Sequence, residues 1–189
     1  IPTEADGWGL YHGGNVSADT KHILNLSAFS AVATAVPGVL LLVDVCLYYP
    51  GINLLTTTAA QTLTNVSTLT RYTTGAGLRA FMVATALTGT PTGTPVMTAS
   101  YTNQAGTAGR ALGATINFTA GAANVPTPGK ITHSGVAANN HAPFLPLASG
   151  DTGIRSVQTV TMSTNYGGAT TITGALVLAK PLVSVPIGT

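Results

Sequence analysis

Charge is what this chain has least of: seven Lys and Arg with five Asp and Glu in 189 residues, or 6%, against about 25% in an ordinary soluble domain. General acid–base catalysis, hard-cation binding and phosphate capture all draw on ionisable side chains. The scarcity therefore weighs against an enzyme, a resident metal or a cofactor. The net charge of +2 comes from singly dispersed groups, which form no basic stripe for nucleic acid. Tyr48, Tyr49, Tyr72 and Tyr101 mostly lack the cationic neighbours that a single-strand stacking platform needs. Cysteine is nearly absent too. Cys46 has no partner for an intrachain disulfide, and its apolar surroundings make it a small buried hydrophobe. Long apolar runs are missing: the most apolar stretch, Val36 to Gly51, is bounded by Pro-Gly at both ends and interrupted by Asp44. It falls short of the roughly 20 residues that span a bilayer, and no signal-peptide pattern opens the chain. A membrane is not an expected partner.

What is present is Thr, Ala, Gly and Val, with no run of apolar residues at the helical period. Alternation recurs instead in His22 to Ala33, Val39 to Tyr49, Asn65 to Tyr72, Leu78 to Leu87, Val96 to Asn103, Leu112 to Ala120, Ile154 to Ser163 and Thr171 to Val183. Eight short strands at this spacing predict an all-β fold, a β-sandwich of jelly-roll type with under about 10% helix. The Val36 to Gly51 stretch reads as a strand buried on both faces. Thr74-Gly75-Ala76-Gly77 and Thr88 to Pro95 read as hairpin-type connections, Gly supplying positive φ and Pro fixing it. Asp44 inside its apolar strand needs a solvated edge or a cation, with Arg79, Arg110 and Arg155 as candidates.

Two segments escape the alternation. Residues 1–21 form an expected N-terminal arm ahead of a single domain at 22–189, and within it Trp8 and Tyr11 are large anchors flanked by glycine. Residues 121–153 form a long Pro- and Asn-rich loop. Loops of that length in a compact domain are usually functional, and Phe144, Leu145 and Leu147 would leave an apolar patch on a monomer. With His133 and His141, these residues are the expected partner contacts.

Chemistry finds little to work with. His133, His141 and Asp151 could supply a two-His, one-carboxylate metal site, but their spacing matches no ligand motif; His12 and His22 offer less. His133, Ser134 and Asp151 would be the residues of a hydrolase, although no Gly-x-Ser-x-Gly elbow occurs. Asp151-Thr152-Gly153 without a second copy is better read as a Gly-rich turn leading into the Ile154 strand. Asn-x-Ser/Thr matches at Asn15, Asn25, Asn65 and Asn117 arise by chance in so hydroxyl-rich a chain. Neither Gly-x-Gly-x-x-Gly nor a Gly-Lys-Ser/Thr loop is present, which argues against nucleotide enzymes.

In style, and most of all in Thr102-Asn103-Gln104-Ala105-Gly106-Thr107-Ala108-Gly109-Arg110 and Gly150-Asp151-Thr152-Gly153-Ile154-Arg155-Ser156-Val157-Gln158, the chain resembles the virion structural proteins of tailed bacteriophages, particularly capsid decoration or cement proteins. That resemblance implies a non-enzymatic homo-oligomer, a dimer or trimer, bound to the major capsid protein on the capsid surface. A tail or fibre component and a carbohydrate-binding adhesin, with Trp8 and Tyr11 as its aromatics, are the alternatives. Neutral hydroxyl-rich surfaces suit interfaces that depend little on salt, and low net charge favours association.

Overall fold

The computed structural model describes residues 25–27, 38–56, 58–63, 68–117, 131–132 and 143–187, with 117 and 131–132 described by backbone alone. Among them there is no helix. In chain order the strands are β1 (Gly38–Asn53), β2 (Gln61–Thr62), β3 (Arg79–Thr92), β4 (Val96–Asn103), β5 (Arg110–Ala111), β6 (Ile116–Asn117), β7 (Ile131–Thr132), β8 (Ile154–Met162) and β9 (Gly167–Ile187). They form two antiparallel sheets, one in the order β1-β9-β3-β7 and the other β2-β8-β4-β5, with β6 also on β4. The pairing is nested: β1 lies beside β9, β2 beside β8, β3 beside β7 and β4 beside β5, and successive pairs fall alternately in the two sheets.

By contact, the chain divides into one unit at residues 45–180 and another whose described part is 25–27, 38–44 and 181–187. The core lies in the first. Across β3 and β9, Ala80 faces Leu178 and Met82 faces Leu176, while across β4 and β8, Met97 faces Met162 and Ala99 faces Val160. All eight belong to one buried cluster with Leu47, Tyr49, Ile52 and Leu54. The Tyr49 hydroxyl accepts the Val157 N–H at 3.2 Å, so a core tyrosine of one sheet satisfies a backbone donor of the other. The period-2 rule holds on β4, whose outward residues Thr98, Ser100 and Thr102 lie opposite Thr161, Thr159 and Ser156. It fails on β3 and β9, because their other face is buried as well: Phe81 faces Val177 and Val83 faces Ala175, none more than 7% exposed.

Several expectations are corrected. The strand buried on both faces is β9 between Gly174 and Ala179 rather than β1, whose Val39 is 66% exposed. Among the described residues β1 is the terminal strand of its sheet. Thr88 to Pro95 is no hairpin, since β3 continues to Thr92 and β4 then starts in the other sheet. Of Asn65 to Tyr72, residues 68–72 form no strand, and Tyr72 takes a positive φ of 51°, which L residues adopt at turns. Of Leu112 to Ala120, the described residues 112–117 are strand only at Ile116–Asn117. Gly113 turns the chain there: its N–H meets the Pro146 carbonyl at 3.0 Å, and a Cβ would collide with the Leu147 carbonyl oxygen. Residues 25–27 of the segment His22 to Ala33 are not strand; the rest of that segment, and the arm at 1–21, lie outside the described residues.

Candidate functional site

The two segments that carried the resemblance meet in space, and Asp151 joins them. Its N–H closes a turn onto the Ala148 carbonyl at 3.0 Å, with Gly150 at φ 85°, as the Gly-rich turn reading required. The side chain then takes three donors: the Tyr101 hydroxyl to Oδ2 at 2.6 Å, Asn103 Nδ2 to Oδ1 at 2.8 Å and Arg110 Nε to Oδ2 at 2.9 Å. Pairing explains the convergence. Tyr101 and Arg110 stand opposite each other across β4 and β5, and Asn103 ends β4. Asn103 Oδ1 also accepts the N–H groups of Ala105 and Thr107 at 3.1 and 2.9 Å, so the same side chain shapes the β4–β5 turn and reaches the carboxylate.

A second set of bonds ties in residues 74–77. Gln104 Oε1 accepts from Thr152 and Gly153 N–H at 3.0 and 3.2 Å, and the Gly77 N–H meets the Thr152 carbonyl at 3.0 Å. Arg155 donates to the Thr74 and Gln104 carbonyls, each at 3.0 Å. Gly153 is required here because a Cβ would strike the Gly75 carbonyl oxygen.

The electrostatics describe a clamp. The hydrogen bonds from Tyr101, Arg110 and Asn103 outweigh desolvation and hold the Asp151 carboxyl down at about 2. The Tyr101 hydroxyl is pushed up, first by burial and then by the adjacent carboxylate. A carboxylate so acidic, with three donors on it, is a poor general base at neutral pH. What the clamp presents outward is a rim of exposed small residues, 105–109 and 149–150 with Thr152, held from beneath by side-chain bonds.

The expected contact residues fare unevenly. Trp8, Tyr11, His133 and His141, together with Ser134, lie outside the described residues. Leu145 is corrected: at 2% exposure it belongs to the chain's own core, with its N–H on the Ala80 carbonyl at 2.7 Å, so no partner can reach it. Phe144 is half-buried, edge-on to Phe81 with ring centroids 6.2 Å apart, and Leu147 packs against the core. The apolar patch expected from these three is thus largely covered by the chain itself. Of the cations proposed for Asp44, Arg110 is engaged with Asp151 and Arg155 with carbonyls. Among the described residues no three His, Cys, Asp or Glu side chains gather as a metal site, and no helix is long and apolar enough to cross a membrane.

Sequence reasoning missed Tyr101, Asn103, Gln104 and Arg110 as one network. The available signal was Asn-Gln-Ala-Gly after an alternating strand, in which Asn marks an Asx turn and the inward Tyr needs a hydroxyl partner. No protein-family model, curated protein or solved structure matches the chain.

Proposed function

We propose that this chain is a non-enzymatic virion structural protein of the capsid decoration or cement type, built on a jelly-roll β-sandwich and acting through contacts with copies of itself and with a capsid protein. The observation that carries the reading is the nested pairing. A jelly roll is an eight-stranded double sheet of two Greek keys, found in viral capsid and lectin domains. A long hairpin rolled up in that way pairs first with last, second with next to last, and so on, alternating between sheets. The orders β1-β9-β3-β7 and β2-β8-β4-β5 support this reading, with β6 as an extra two-residue piece on β4.

The surface supports the same reading. The outward face of β4 and β8 is a ladder of Thr and Ser, and the clamped rim is small and uncharged except for what Asp151 and Arg110 neutralise between them. Such surfaces bind through shape, hydroxyls and backbone groups, with little dependence on salt. A clamp that fixes a loop in advance lowers the ordering cost of binding.

The test is co-sedimentation of the purified protein with phage heads, with electron microscopy of the pellet. Regular density on the capsid that survives about 0.5 M salt, where screening reaches within a few Å, is the expected result. Absence from particles, or release at that salt, would overturn the reading. A glycan array provides the other arm: saturable sugar binding without particle binding would favour an adhesin.

A further inference from the structure

We propose that Tyr101, Asn103 and Arg110 form a carboxylate-binding cradle, which the chain's own Asp151 fills as an autoinhibitory plug and which a carboxylate of another molecule takes when residues 146–152 lift away. The inference deepens the contact reading above. The cradle is a property of this chain alone, and only the identification of its outside ligand with an acidic group of a capsid partner rests on that reading.

Sheet and turn set the donors in place. Tyr101 and Arg110 stand opposite each other through the β4–β5 pairing, and Asn103 is fixed through its Oδ1, which accepts two N–H groups of its own turn. Together they reach both carboxylate oxygens, Tyr101 Oη and Arg110 Nε donating to Oδ2 and Asn103 Nδ2 to Oδ1. Tyr101 and Asn103 are buried, at 0% and 6% exposure. One cation and two neutral donors suit a single ionised carboxylate, and the lowered Asp151 carboxyl shows that preference.

The plug is tied down differently. Leu145 and Ile154 are buried in the core on either side of it. Between them, residues 147–151 make no backbone–backbone hydrogen bond to any other described segment, their one such bond being the internal turn from Asp151 to Ala148. The Ala148 N–H goes to Tyr101 Oη at 2.8 Å and the Ser149 carbonyl takes Arg110 Nη2 at 3.3 Å, so these contacts, like those of the carboxylate, all run to cradle residues. Strap and carboxylate therefore leave together, and a segment held by so few groups opens below the free energy of global unfolding. Tethered as it is, Asp151 competes at an effective concentration of roughly millimolar or more. A free small anion does not dislodge it, whereas a partner that also grips the rim at 105–109 can.

Asp151→Ala empties the cradle, and acetate is the probe. The urea midpoint of this variant should climb with the logarithm of acetate concentration, with a dissociation constant in the millimolar range for so small a ligand. Acetamide, the neutral isostere, and sodium chloride at equal ionic strength should leave it unchanged. Asp151→Asn, whose amide still fills the space, should not respond to acetate. Arg110→Gln added to Asp151→Ala should weaken the response roughly tenfold or more. If Asp151→Ala is unfolded in buffer, acetate should restore its fold, and a chain that stays unfolded overturns the proposal. In the wild type, amide exchange across a urea series shows whether the plug can leave: Ala148 should exchange with a much weaker urea dependence than Val160 in the core. Ala148 exchange that tracks global unfolding overturns the proposal, as does an acetate response shared by acetamide or by Asp151→Asn. Acetate rescue in a protein that ignores particles would instead defeat the virion reading and leave the cradle standing.

Discussion

The hydroxyl of Tyr101 is bonded on both sides, donating to Asp151 Oδ2 at 2.6 Å and accepting the Ala148 N–H at 2.8 Å. Tyr101 is fully buried, so water cannot take over either role. Tyr101→Phe should therefore destabilise the fold by about 1–3 kcal/mol, through loss of one of the three donors to Asp151 and of the acceptor for the Ala148 N–H. Urea unfolding with an unchanged m-value would check it, and a loss below about 0.5 kcal/mol would show that the clamp relaxes around the missing oxygen.

Asp151 sets an acid limit. Its carboxyl is lowered from 3.8 to about 2 in the folded chain, so the folded state favours the ionised form. The stabilisation is complete above the unfolded-state value and is lost as pH falls through the folded one. Thermal midpoints of the wild type and Asp151→Asn should differ by a constant amount from pH 8 to about 5 and converge between about pH 4 and 2. A difference that persists unchanged at pH 2 would mean that the carboxylate charge is not what Asn lacks.

Two glycines should fail for different reasons. At Gly153 a Cβ meets the Gly75 backbone, whereas Gly51 has open space but a φ of 75°. Gly153→Ala should cost about 1–3 kcal/mol or more through overpacking, and Gly51→Ala about 1 kcal/mol through backbone strain. Chemical denaturation ranks the pair, and equal costs would deny the close approach at Gly153.

β9 is buried on both sides, so substitutions on either should be felt. Leu176→Ala, on the shared-core face, should cost about 2–5 kcal/mol. Val177 points the other way and is 1% exposed, so Val177→Ala should also lose about 1–2 kcal/mol. A neutral Val177→Ala would mean that this face is solvated.

Strand identity was legible wherever one face is wet. Thr98, Ser100 and Thr102 against Met97, Ala99 and Tyr101 announced β4 through side chains alone, whereas register shifts on β8 space its buried Ile154, Val157 and Val160 three apart. The ladder's winding was not legible, because nothing in Gly167–Ile187 says that its neighbours will be β1 and β3. β2 and β5, at two residues each, are too short to show a period. Leu145 looked like a contact residue because a Pro-rich segment gives no periodicity, and only the fold reveals that it bonds to Ala80. Asp151 looked like a lone turn residue because its three donors are contributed from 41 to 50 positions away.

The place of β9 between β1 and β3 also governs how the chain can be made. A ribosome finishes β1 at Asn53 more than a hundred residues before it starts β9 at Gly167, so for most of synthesis β1 and β3 emerge without the strand that separates and covers them. Non-local pairing of this kind folds slowly, and apolar strands waiting for a partner are prone to aggregate or to require a chaperone. A chain cut before Gly167 should consequently yield inclusion bodies rather than a smaller folded protein.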